Sequence, residues 1–521
     1  MLTQLIPRHL APHISPQFYD EYTPTDHAVW RFVLRLNLHT LEGKAHPFYI
    51  EGLKKTGMGP ERLPNVEAMT EEMRSAGWST VAVDGLIPGV AFFDFQGNGM
   101  LPVATDIRKV ENILYSPAPD IIHEAAGHAP MLMDPDFSNI VKRFGQLGAK
   151  AFMNREEHAS FAALKRLTVV KENANSTDEE IAAAEAAVHA AKAQVTGFSE
   201  AQQVARIFWW TVEFGLIGDV DNPLIYGAGL LSSVGESRHC LTDAVTKHPF
   251  DLEHALETKQ DVTNMQRELF VIRDFDALTD ALDELERRMA VHQGGIASIE
   301  KALASGSQAT VRLEDGTDRV GVVRHMTKHD GHVLIQWNDC VKVDNGQLTN
   351  LENHGLLILD GPIQDVLATA AIRLDGQVVN ETADELRLEN VVIELEGRRI
   401  ELATLEIRQD SIPSVFPGTD VEELVLIEKP VIVERDARVW TNDDPMFNRV
   451  RNLREQGASI DEIVPTILED HADAWLLQIE CLELVESETL KQALIERLQQ
   501  LRATSASRNE LIGRAFDLLH I

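Results

Sequence analysis

Cysteine, positive charge and long hydrophobic runs are all scarce in this sequence. Its three cysteines, Cys240, Cys340 and Cys481, are far apart among 521 residues and form no CxxC pair. That pattern excludes a disulfide framework and a cysteine-ligated zinc site. No segment approaches the roughly 18 consecutive apolar residues of a membrane-spanning helix. Residues 1–20 lack the basic and apolar segments of a secretory signal. We therefore expect a cytoplasmic protein in a reducing compartment.

The charge balance limits the partners of the protein. The chain has 48 Lys and Arg residues against 82 Asp and Glu residues, which gives a net charge of -34. Such an acidic chain repels nucleic-acid phosphates and anionic membrane surfaces, so we expect neither as a partner. Hydrophobic residues make up 44% of the chain, which is enough for a sizeable core. At roughly 100–200 residues per domain, the length predicts a multidomain protein.

Three regions with different periodicity follow one another along the chain. Residues 1–300 have mostly helical periodicity and contain a polar, alanine-rich helical insertion at 154–200. From 305 to 428, short alternating segments separated by turn residues predict a small β-rich domain of unknown role. Residues 430–521 are again helical, with an amphipathic run at 489–501. The predicted fold is therefore a mainly α domain, a β-rich domain and a helical C-terminal region.

Two capping boxes predict helix starts in this chain. Thr177 precedes Glu180 by three residues, and Ser459 precedes Glu462 in the same way. Each pair can satisfy the first free N–H groups of a helix. The first box lies in the insertion, which could be a lid or partner arm, or a solvated surface hairpin. The polar composition favours the hairpin.

One segment, residues 119–130, carries the strongest chemical signal. It contains His123 and His128, five residues apart, whereas the zinc-protease motif places two histidines four apart. On a regular helix a spacing of five separates the side chains by roughly 140°. Both histidines can reach one metal only if the helix ends or loosens between them. Gly127 and Pro130 permit such a change.

A third ligand should come from another part of the chain, and Glu213 is the strongest candidate. It is a lone acid within an apolar and aromatic run, where an unpaired carboxylate would be costly. Two histidines and one carboxylate would leave open positions that suit non-haem iron and oxygen. The alternative is that the Glu213 carboxylate accepts a hydrogen bond from a histidine or an arginine, and spacing alone leaves both interpretations open. Asp120, one turn before His123, could orient its imidazole.

Beyond these residues, six blocks in the same order resemble the pterin-dependent aromatic amino acid hydroxylases. The resemblance covers roughly residues 15–290, and it implies the catalytic fold of that family for residues 1–300. It also supports the metal interpretation of the two histidines and the glutamate. The blocks are 22–31, 85–88, Arg108, 115–120, which leads into the histidine motif, 211–216 and 226–236.

The resemblance implies a site for each reactant. Fe(II) would be held by His123, His128 and Glu213, with O2 as co-substrate. The cofactor would be a tetrahydropterin, either tetrahydrobiopterin or a related compound, bound by Gly85, Ile87, Phe92, Glu124, Ala205 and Phe208. An aromatic amino acid would be bound by Arg108, Ser116, Pro117, Pro119, Trp209, Phe214 and Ser232. Among these, the Arg108 guanidinium would grip the substrate carboxylate through parallel hydrogen bonds.

Two positions bear on function through departures from the family pattern. Val90 stands where the family has an arginine before Phe92, which removes an ion-pair anchor from the pterin loop. Val262 stands where tyrosine hydroxylases have an acid, which favours phenylalanine as substrate. The implied activity is therefore hydroxylation of the ring of free phenylalanine to give tyrosine.

Several alternatives remain open at this point. The substrate could be tryptophan or tyrosine, because apolar pockets discriminate weakly by size. The chain could also be a catalytically degenerate sensor of pterin or amino acid, or a zinc hydrolase built on the histidine pair. The C-terminal region could form a homo-oligomer, regulate the enzyme or only support the fold.

Overall fold

The fold combines a helical part, a large β-sheet and a second helical part, in chain order. The computed structural model describes residues 6–85, 87–116, 119–172, 177–261, 264–329, 331–359, 362–363, 372–382, 385–395, 398–418, 426–427 and 445–521. Among the described residues, no helix is long and apolar enough to cross a lipid bilayer.

The first helical part extends to about residue 305. Its helices are α1 Pro24–Leu41, α2 Pro47–Lys55, α3 Val66–Met73, α4 Gly89–Gly97, α5 Ala129–Leu132, α6 Pro135–Ala149, α7 Arg155–Glu172, α8 Asp178–Gln194, α9 Glu200–Phe208, α10 Ala228–Ser232, α11 Glu236–His239, α12 Leu252–Glu257, α13 Phe275–Arg287, α14 Ala290–Gln293 and α15 Gly295–Ser305. Two π-helical segments, His123–His128 and Trp209–Glu213, interrupt this series.

Short strands accompany these helices. The parallel pair β2 Ser79–Val83 and β3 Met100–Ala104 flanks α4, and a four-stranded sheet has the order β5-β4-β7-β6. Its strands are β4 Leu216–Asp219, β5 Asn222–Ile225, β6 Thr246–Pro249 and β7 Glu268–Ile272. At the start of the chain, β1 Ile6–Pro7 pairs with the late strand β16 Leu426–Ile427.

Local sequence signals account for several of these helices. Helix α1 begins after Thr23, whose side chain and that of Asp26 form a capping box. Val29 and Trp30 on its apolar face are buried, as their spacing predicts. Helix α8 begins after the predicted box of Thr177 and Glu180, and it packs against α7 as a helical hairpin.

The second part is an eight-stranded sheet with the order β12-β13-β14-β11-β10-β9-β8-β15. Neighbouring strands are antiparallel except β11 and β14, which are parallel. The strands are β8 Gln308–Arg312, β9 Asp318–His329, β10 His332–Asp344, β11 Gln347–Ile358, β12 Ile372–Glu381, β13 Glu385–Leu395, β14 Arg398–Arg408 and β15 Ser414–Pro417.

Alternation along the central strands buries both faces of this sheet. On β10, Val333 and Ile335 belong to one apolar cluster, together with Ile299 of α15, and Leu334 belongs to another. Side chains two residues apart face the same side of a strand, so the two clusters lie on opposite faces. The short alternating segments of the sequence therefore correspond to a sheet.

The last helical part packs directly on α1. Its helices are α16 Pro445–Gln456, α17 Val464–Asp470, α18 Trp475–Leu482, α19 Glu488–Arg502 and α20 Ala506–Leu518. Arg31 forms a buried bidentate ion pair with Glu480, with Nε–Oε1 and Nη2–Oε2 distances of 2.9 and 2.7 Å. The Phe32 and Trp475 rings meet edge to face with centroids 5.3 Å apart. These helices therefore share one hydrophobic core with the first part of the chain.

The predicted capping box at Ser459 and Glu462 is wrong. The next helix begins at Val464, and Ser459 Oγ instead accepts a hydrogen bond from the Asp461 backbone N–H at 3.3 Å. The Asp461 carboxylate accepts hydrogen bonds from the N–H groups of Glu486 and Ser487. A tertiary contact therefore replaces the local cap. The amphipathic run at 489–501 does form a helix, Glu488–Arg502.

Candidate metal centre and active site

The two histidines of the 119–130 segment come together because the helix loosens between them. Residues His123–His128 form a π-helix, whose hydrogen bonds join residues five apart. That period brings the His123 and His128 rings together, with centroids 4.8 Å apart. A Cβ at Gly127 would lie 2.6 Å from the Ala228 carbonyl oxygen. Glycine is therefore required there by the close approach of α10.

Glu213 reaches the same point from a second π-helical segment, Trp209–Glu213. His128 Nε2 lies 3.1 Å from His123 Nε2 and 3.1 Å from Glu213 Oε1, and His123 Nε2 lies 3.2 Å from Glu213 Oε2. Ligand atoms about 2.1 Å from one ion and at right angles to each other would be about 3.0 Å apart. Glu213 presents a different carboxylate oxygen to each histidine, and the three side chains are close enough to occupy one face of an octahedral metal site.

Ser232 orients the His123 ring. Its hydroxyl donates to the Ala228 carbonyl at 2.7 Å, and its oxygen lies 3.2 Å from His123 Nδ1. Because the hydroxyl proton is already used, we assign the proton of this contact to Nδ1. His123 Nε2 then carries a lone pair that faces His128 and the Glu213 carboxylate. Several acceptors facing one another need a cation or a shared proton between them.

Asp120 has a different role from the predicted one. Its Oδ1 accepts a hydrogen bond from the backbone N–H of His123 at 3.0 Å, and no contact joins it to the ring. Its carboxylate instead pairs with Arg108, with Nε–Oδ2 and Nη2–Oδ1 distances of 2.7 and 2.8 Å. Burial alone would raise the pKa of Asp120, but the attraction of Arg108 holds it below its usual value. The predicted contact fails because Arg108 occupies the carboxylate.

The charge state of Glu213 suits a ligand to a cation. Burial alone would raise its pKa, but the attraction of His128 and His123, and their hydrogen bonds, hold it well below its usual value. The neighbouring carboxyl of Glu124 behaves in the opposite way, since burial raises its pKa to about 8. Glu124 Oε2 lies 4.0 Å from His128 Nε2 and has no hydrogen-bond partner among the described residues.

Two predicted pterin residues form an aromatic wall beside the histidines. The Phe92 and Phe208 rings meet edge to face with centroids 5.8 Å apart, and Phe208 lies nearly parallel to His128 at 6.4 Å. Ala205 lies one turn before Phe208 on α9 and packs on the same core. Gly85 and Ile87 lie on the loop between β2 and α4. Gly85 has a φ of 55°, a conformation that favours glycine.

Arg108 is joined to the residues around the histidine segment through Asp120 and Ser232. It is buried, and its Nη1 donates to the Ser232 carbonyl at 3.3 Å in addition to the pair with Asp120. A guanidinium has five N–H groups. These contacts leave one on each Nη atom for a further acceptor.

The remaining predicted substrate residues differ in their contacts and in their exposure to solvent. Trp209 and Phe214 stack with centroids 4.5 Å apart on either side of Glu213 in sequence, and both pack against the main core. Ser116 is half-buried and Pro119 is exposed. Pro117 lies outside the described residues, as does Val262, on which the substrate preference rests. Val90 is 42% exposed and lies at the start of α4.

A second group of side chains whose ligand atoms could hold a metal ion lies elsewhere. His248 on β6, His254 on α12 and Glu268 on β7 have ligand atoms within 4.8 Å of one another. His254 is exposed and the other two are partly exposed. The group is therefore more open than the buried triangle around His128, and it provides a natural control for metal-binding experiments.

Comparison with known proteins places the chain in a family. The model of the family described as biopterin-dependent aromatic amino acid hydroxylase matches residues 13–169 and 177–297. The chain therefore belongs to this family, and the matched residues form its catalytic domain, as the resemblance implies. This membership argues against a zinc hydrolase.

Two of the similar proteins are bacterial enzymes. The chain is 31% identical over 268 residues to a phenylalanine-4-hydroxylase of Chromobacterium violaceum. The aligned region is 51% of this chain and 75% of the relative. It is 32% identical over 262 residues to a phenylalanine-4-hydroxylase of Ralstonia nicotianae, and the aligned region is 50% of this chain and 70% of the relative. A crystal structure of the Chromobacterium violaceum enzyme holds iron(III) and 7,8-dihydrobiopterin. The structural match covers 52% of this chain and 85% of the crystallised chain, with 29% identity and a TM-score of 0.41.

Sequence reasoning missed two side chains beside the site. Asn37 Nδ2 on α1 donates to the Leu231 carbonyl at 3.1 Å. Arg514 on α20 donates to the Val234 carbonyl. Asn37 is a polar residue within the apolar face of α1, and this was a weak sequence signal for its role. The contact of Arg514 spans 280 positions of sequence, and no local pattern could have indicated it.

Proposed function

We propose that this chain is an iron- and tetrahydropterin-dependent monooxygenase that hydroxylates the ring of free phenylalanine to give tyrosine. The observation that carries the proposal is the triangle of His123, His128 and Glu213, with sides of 3.1 to 3.2 Å. The relatives named phenylalanine-4-hydroxylase support the substrate. They favour phenylalanine over tryptophan and tyrosine, and an enzyme over a degenerate sensor.

We assign Fe(II) to His123, His128 and Glu213. When bound, Fe(II) and the reduced pterin together activate O2, so that one oxygen atom is added to the ring and the other to the pterin. The protein side chains prepare this site. Ser232 holds the tautomer of His123 that presents Nε2, and the ionised Glu213 balances part of the cation's charge. The stacked Trp209 and Phe214 limit the access of water.

We assign the pterin to the side of Phe92 and Phe208. The exposed part of the half-buried Phe92 ring provides an apolar surface for a flat ring system. Glu124 Oε2 is buried and has no partner among the described residues, so it can accept a hydrogen bond from an amino group or a water. Gly85, Ile87 and Ala205 complete the proposed cradle. The short side chains of Gly85 and Ala205 permit close approach, and Ile87 would contact the pterin through its backbone groups.

We assign the amino acid to Arg108 and the Trp209–Phe214 pair. The two N–H groups that Arg108 retains on its Nη atoms match the two oxygens of a carboxylate. Asp120 holds that guanidinium in a fixed plane through two hydrogen bonds. Trp209 and Phe214 would contact the ring of the substrate. Ser116, Pro117, Pro119 and Ser232 complete the proposed pocket.

The cellular setting follows from the cysteines. All three cysteines are buried and none forms a disulfide. Unbridged cysteines support a reducing compartment such as the cytoplasm. A free amino acid and a pterin are the partners that this assignment requires.

Product analysis tests the proposal. The full chain is freed of metal without oxygen, loaded with one equivalent of Fe(II), and given oxygen, a tetrahydropterin and each aromatic amino acid in turn. We expect tyrosine to form from phenylalanine faster than hydroxylated products form from tyrosine or tryptophan. Faster turnover of tryptophan would reject the substrate, and no turnover of any amino acid would reject the enzyme.

A matched pair of variants tests the metal ligands. We expect His128→Ala to lose both the bound iron and the activity, because the triangle loses one corner. His254→Ala at the second histidine group should keep both. Iron content is measured by metal analysis after gel filtration. Stoichiometric iron in the His128→Ala protein would contradict the assigned ligands.

A further inference from the structure

The C-terminal end of helix α10 is held by side chains from three distant segments. Its last carbonyls have no further helical turn to bond with and need other donors. Asn37 Nδ2 donates to the Leu231 carbonyl at 3.1 Å, and Arg108 Nη1 donates to the Ser232 carbonyl at 3.3 Å. Arg514 Nη1 donates to the Val234 carbonyl. Positive side chains are favourable at this end of a helix.

Arg514 comes from α20, near the C-terminal end of the chain, and is only 5% exposed. Its Nη2 donates to Thr40 Oγ1 at 2.7 Å, and the Thr40 hydroxyl donates to the Leu36 carbonyl at 2.8 Å. Val234 is fully buried, so its carbonyl is shielded from water and depends on protein donors. These donors are Arg514 and the Ser237 hydroxyl, the latter at 3.2 Å. The guanidinium therefore joins α1 to the backbone that follows α10.

That backbone carries the groups that orient two assigned active-site residues. Ser232, two residues before Val234, contacts His123 Nδ1 through its hydroxyl and Arg108 through its carbonyl. One side of the short segment 232–234 therefore faces the metal and substrate residues. Its other side is held by Arg514. A shift of Val234 would move Ser232, since only one residue separates them.

We infer that Arg514 is a positioning residue for the hydroxylation reaction, acting through Ser232 on His123 and Arg108. The C-terminal helices would then be part of the catalytic machinery, because they supply one of the side-chain donors that hold the end of α10 and the backbone that follows it. This inference rests on the proposed function for the roles of His123 and Arg108.

The test compares Arg514→Met and Arg514→Lys with Arg454→Met in the full chain. Arg454 lies on α16 and donates to Glu483 at 2.8 Å, within the same C-terminal helices and away from α10. Three quantities are measured: the KM for phenylalanine, kcat, and the electronic absorption of the Co(II)-loaded protein without substrate. Co(II) absorption reports on the geometry of the ligands independently of turnover. The midpoint of thermal unfolding serves as the measure of a purely structural effect.

We expect Arg514→Met to raise the KM for phenylalanine about tenfold, comparable to the loss of one hydrogen bond. Its kcat should fall by about threefold, and its Co(II) absorption should shift because His123 is less constrained. Arg514→Lys should recover most of all three effects, since the ammonium can still donate to Val234. Arg454→Met should lower the unfolding midpoint and leave KM and the Co(II) absorption unchanged.

Wild-type KM and Co(II) absorption in Arg514→Met, with a loss of stability like that of Arg454→Met, would overturn the inference. If Arg514→Met does not fold, Thr40→Val replaces it, because that change removes one of the two anchors of the guanidinium. We expect Thr40→Val to raise KM about threefold and to shift the Co(II) absorption, and wild-type values would overturn the inference equally. Failure of the proposed function is separate, since the wild-type chain would then form no tyrosine.

Discussion

Replacing Asp120 by asparagine tests the substrate side of the site. Asp120 accepts hydrogen bonds from Nε and Nη2 of Arg108, from the Arg108 backbone N–H at 2.9 Å, and from the His123 backbone N–H. Asparagine retains one acceptor oxygen and adds an N–H group that faces donors. At least one charge-assisted hydrogen bond to the guanidinium is therefore lost, and Arg108 becomes free to tilt.

The magnitude follows from that loss. A hydrogen bond to a charged group contributes about 1.5–3 kcal/mol, and about 1.4 kcal/mol corresponds to a factor of ten. We therefore expect kcat/KM for phenylalanine to fall about 10- to 100-fold in Asp120→Asn, mainly through a higher KM. The KM for the tetrahydropterin should change by less than about twofold, because Asp120 contacts Arg108 and the backbone of His123 and not the Phe92 wall.

Steady-state kinetics with varied phenylalanine and varied pterin measure both values. Asp134→Asn is the matched control, since Asp134 caps α6 through two backbone N–H groups and contacts no assigned site residue. It should keep both KM values and nearly all of the stability, since asparagine is about as good an N-cap as aspartate. An unchanged KM for phenylalanine in Asp120→Asn, or an equal rise in both KM values, would refute the reasoning that Asp120 acts by holding Arg108.

Three further predictions concern other parts of the chain. Phe92→Ala should raise the KM for the tetrahydropterin more than the KM for phenylalanine, by about tenfold against less than threefold, in the same kinetic assay. Arg31→Met should destabilise the chain by about 3–5 kcal/mol in urea unfolding, because it leaves Glu480 buried without its main partner, and adding Glu480→Leu should restore much of that loss. Burial lowers the pKa of His354 to about 4. The folded state therefore keeps this histidine neutral, whereas the unfolded state binds a proton below about pH 6.5. Between pH 6.5 and 4 the free energy of unfolding should fall by about 3 kcal/mol more in wild type than in His354→Leu. Equal pH dependence in both proteins would contradict this cause.

The meeting of His123, His128 and Glu213 was predictable because each of these residues is conspicuous in its local sequence. A spacing of five between His123 and His128 does not fit a regular helix, and the sequence predicts that the helix must change between them. The π-helix is the form that the change takes. Glu213 stood out because a lone acid in an apolar segment needs a partner. The three-part periodicity of the chain likewise followed from side chains that repeat every two or every 3.6 residues.

The orientation of these residues could not be predicted, because tertiary contacts decide it. Asp120 precedes His123 by one turn and is a reasonable partner for its ring, yet Arg108 occupies its carboxylate. Ser232 takes that place because α10 packs against Gly127. A sequence pattern describes neighbours along the chain and cannot describe a competition between partners that meet only after folding.

The docking of the last helices on α1 has a consequence for chains shortened to the matched region. A protein ending near residue 300 would leave Phe32 without the Trp475 ring and Arg31 without its buried partner Glu480, so that only the more exposed Glu61 carboxylate, 3.8 Å away, would face its charge. It would present to water an apolar helix face that is covered in the full chain. Such a fragment should aggregate or bind a foreign partner, even though it would retain every residue assigned to iron, pterin and amino acid.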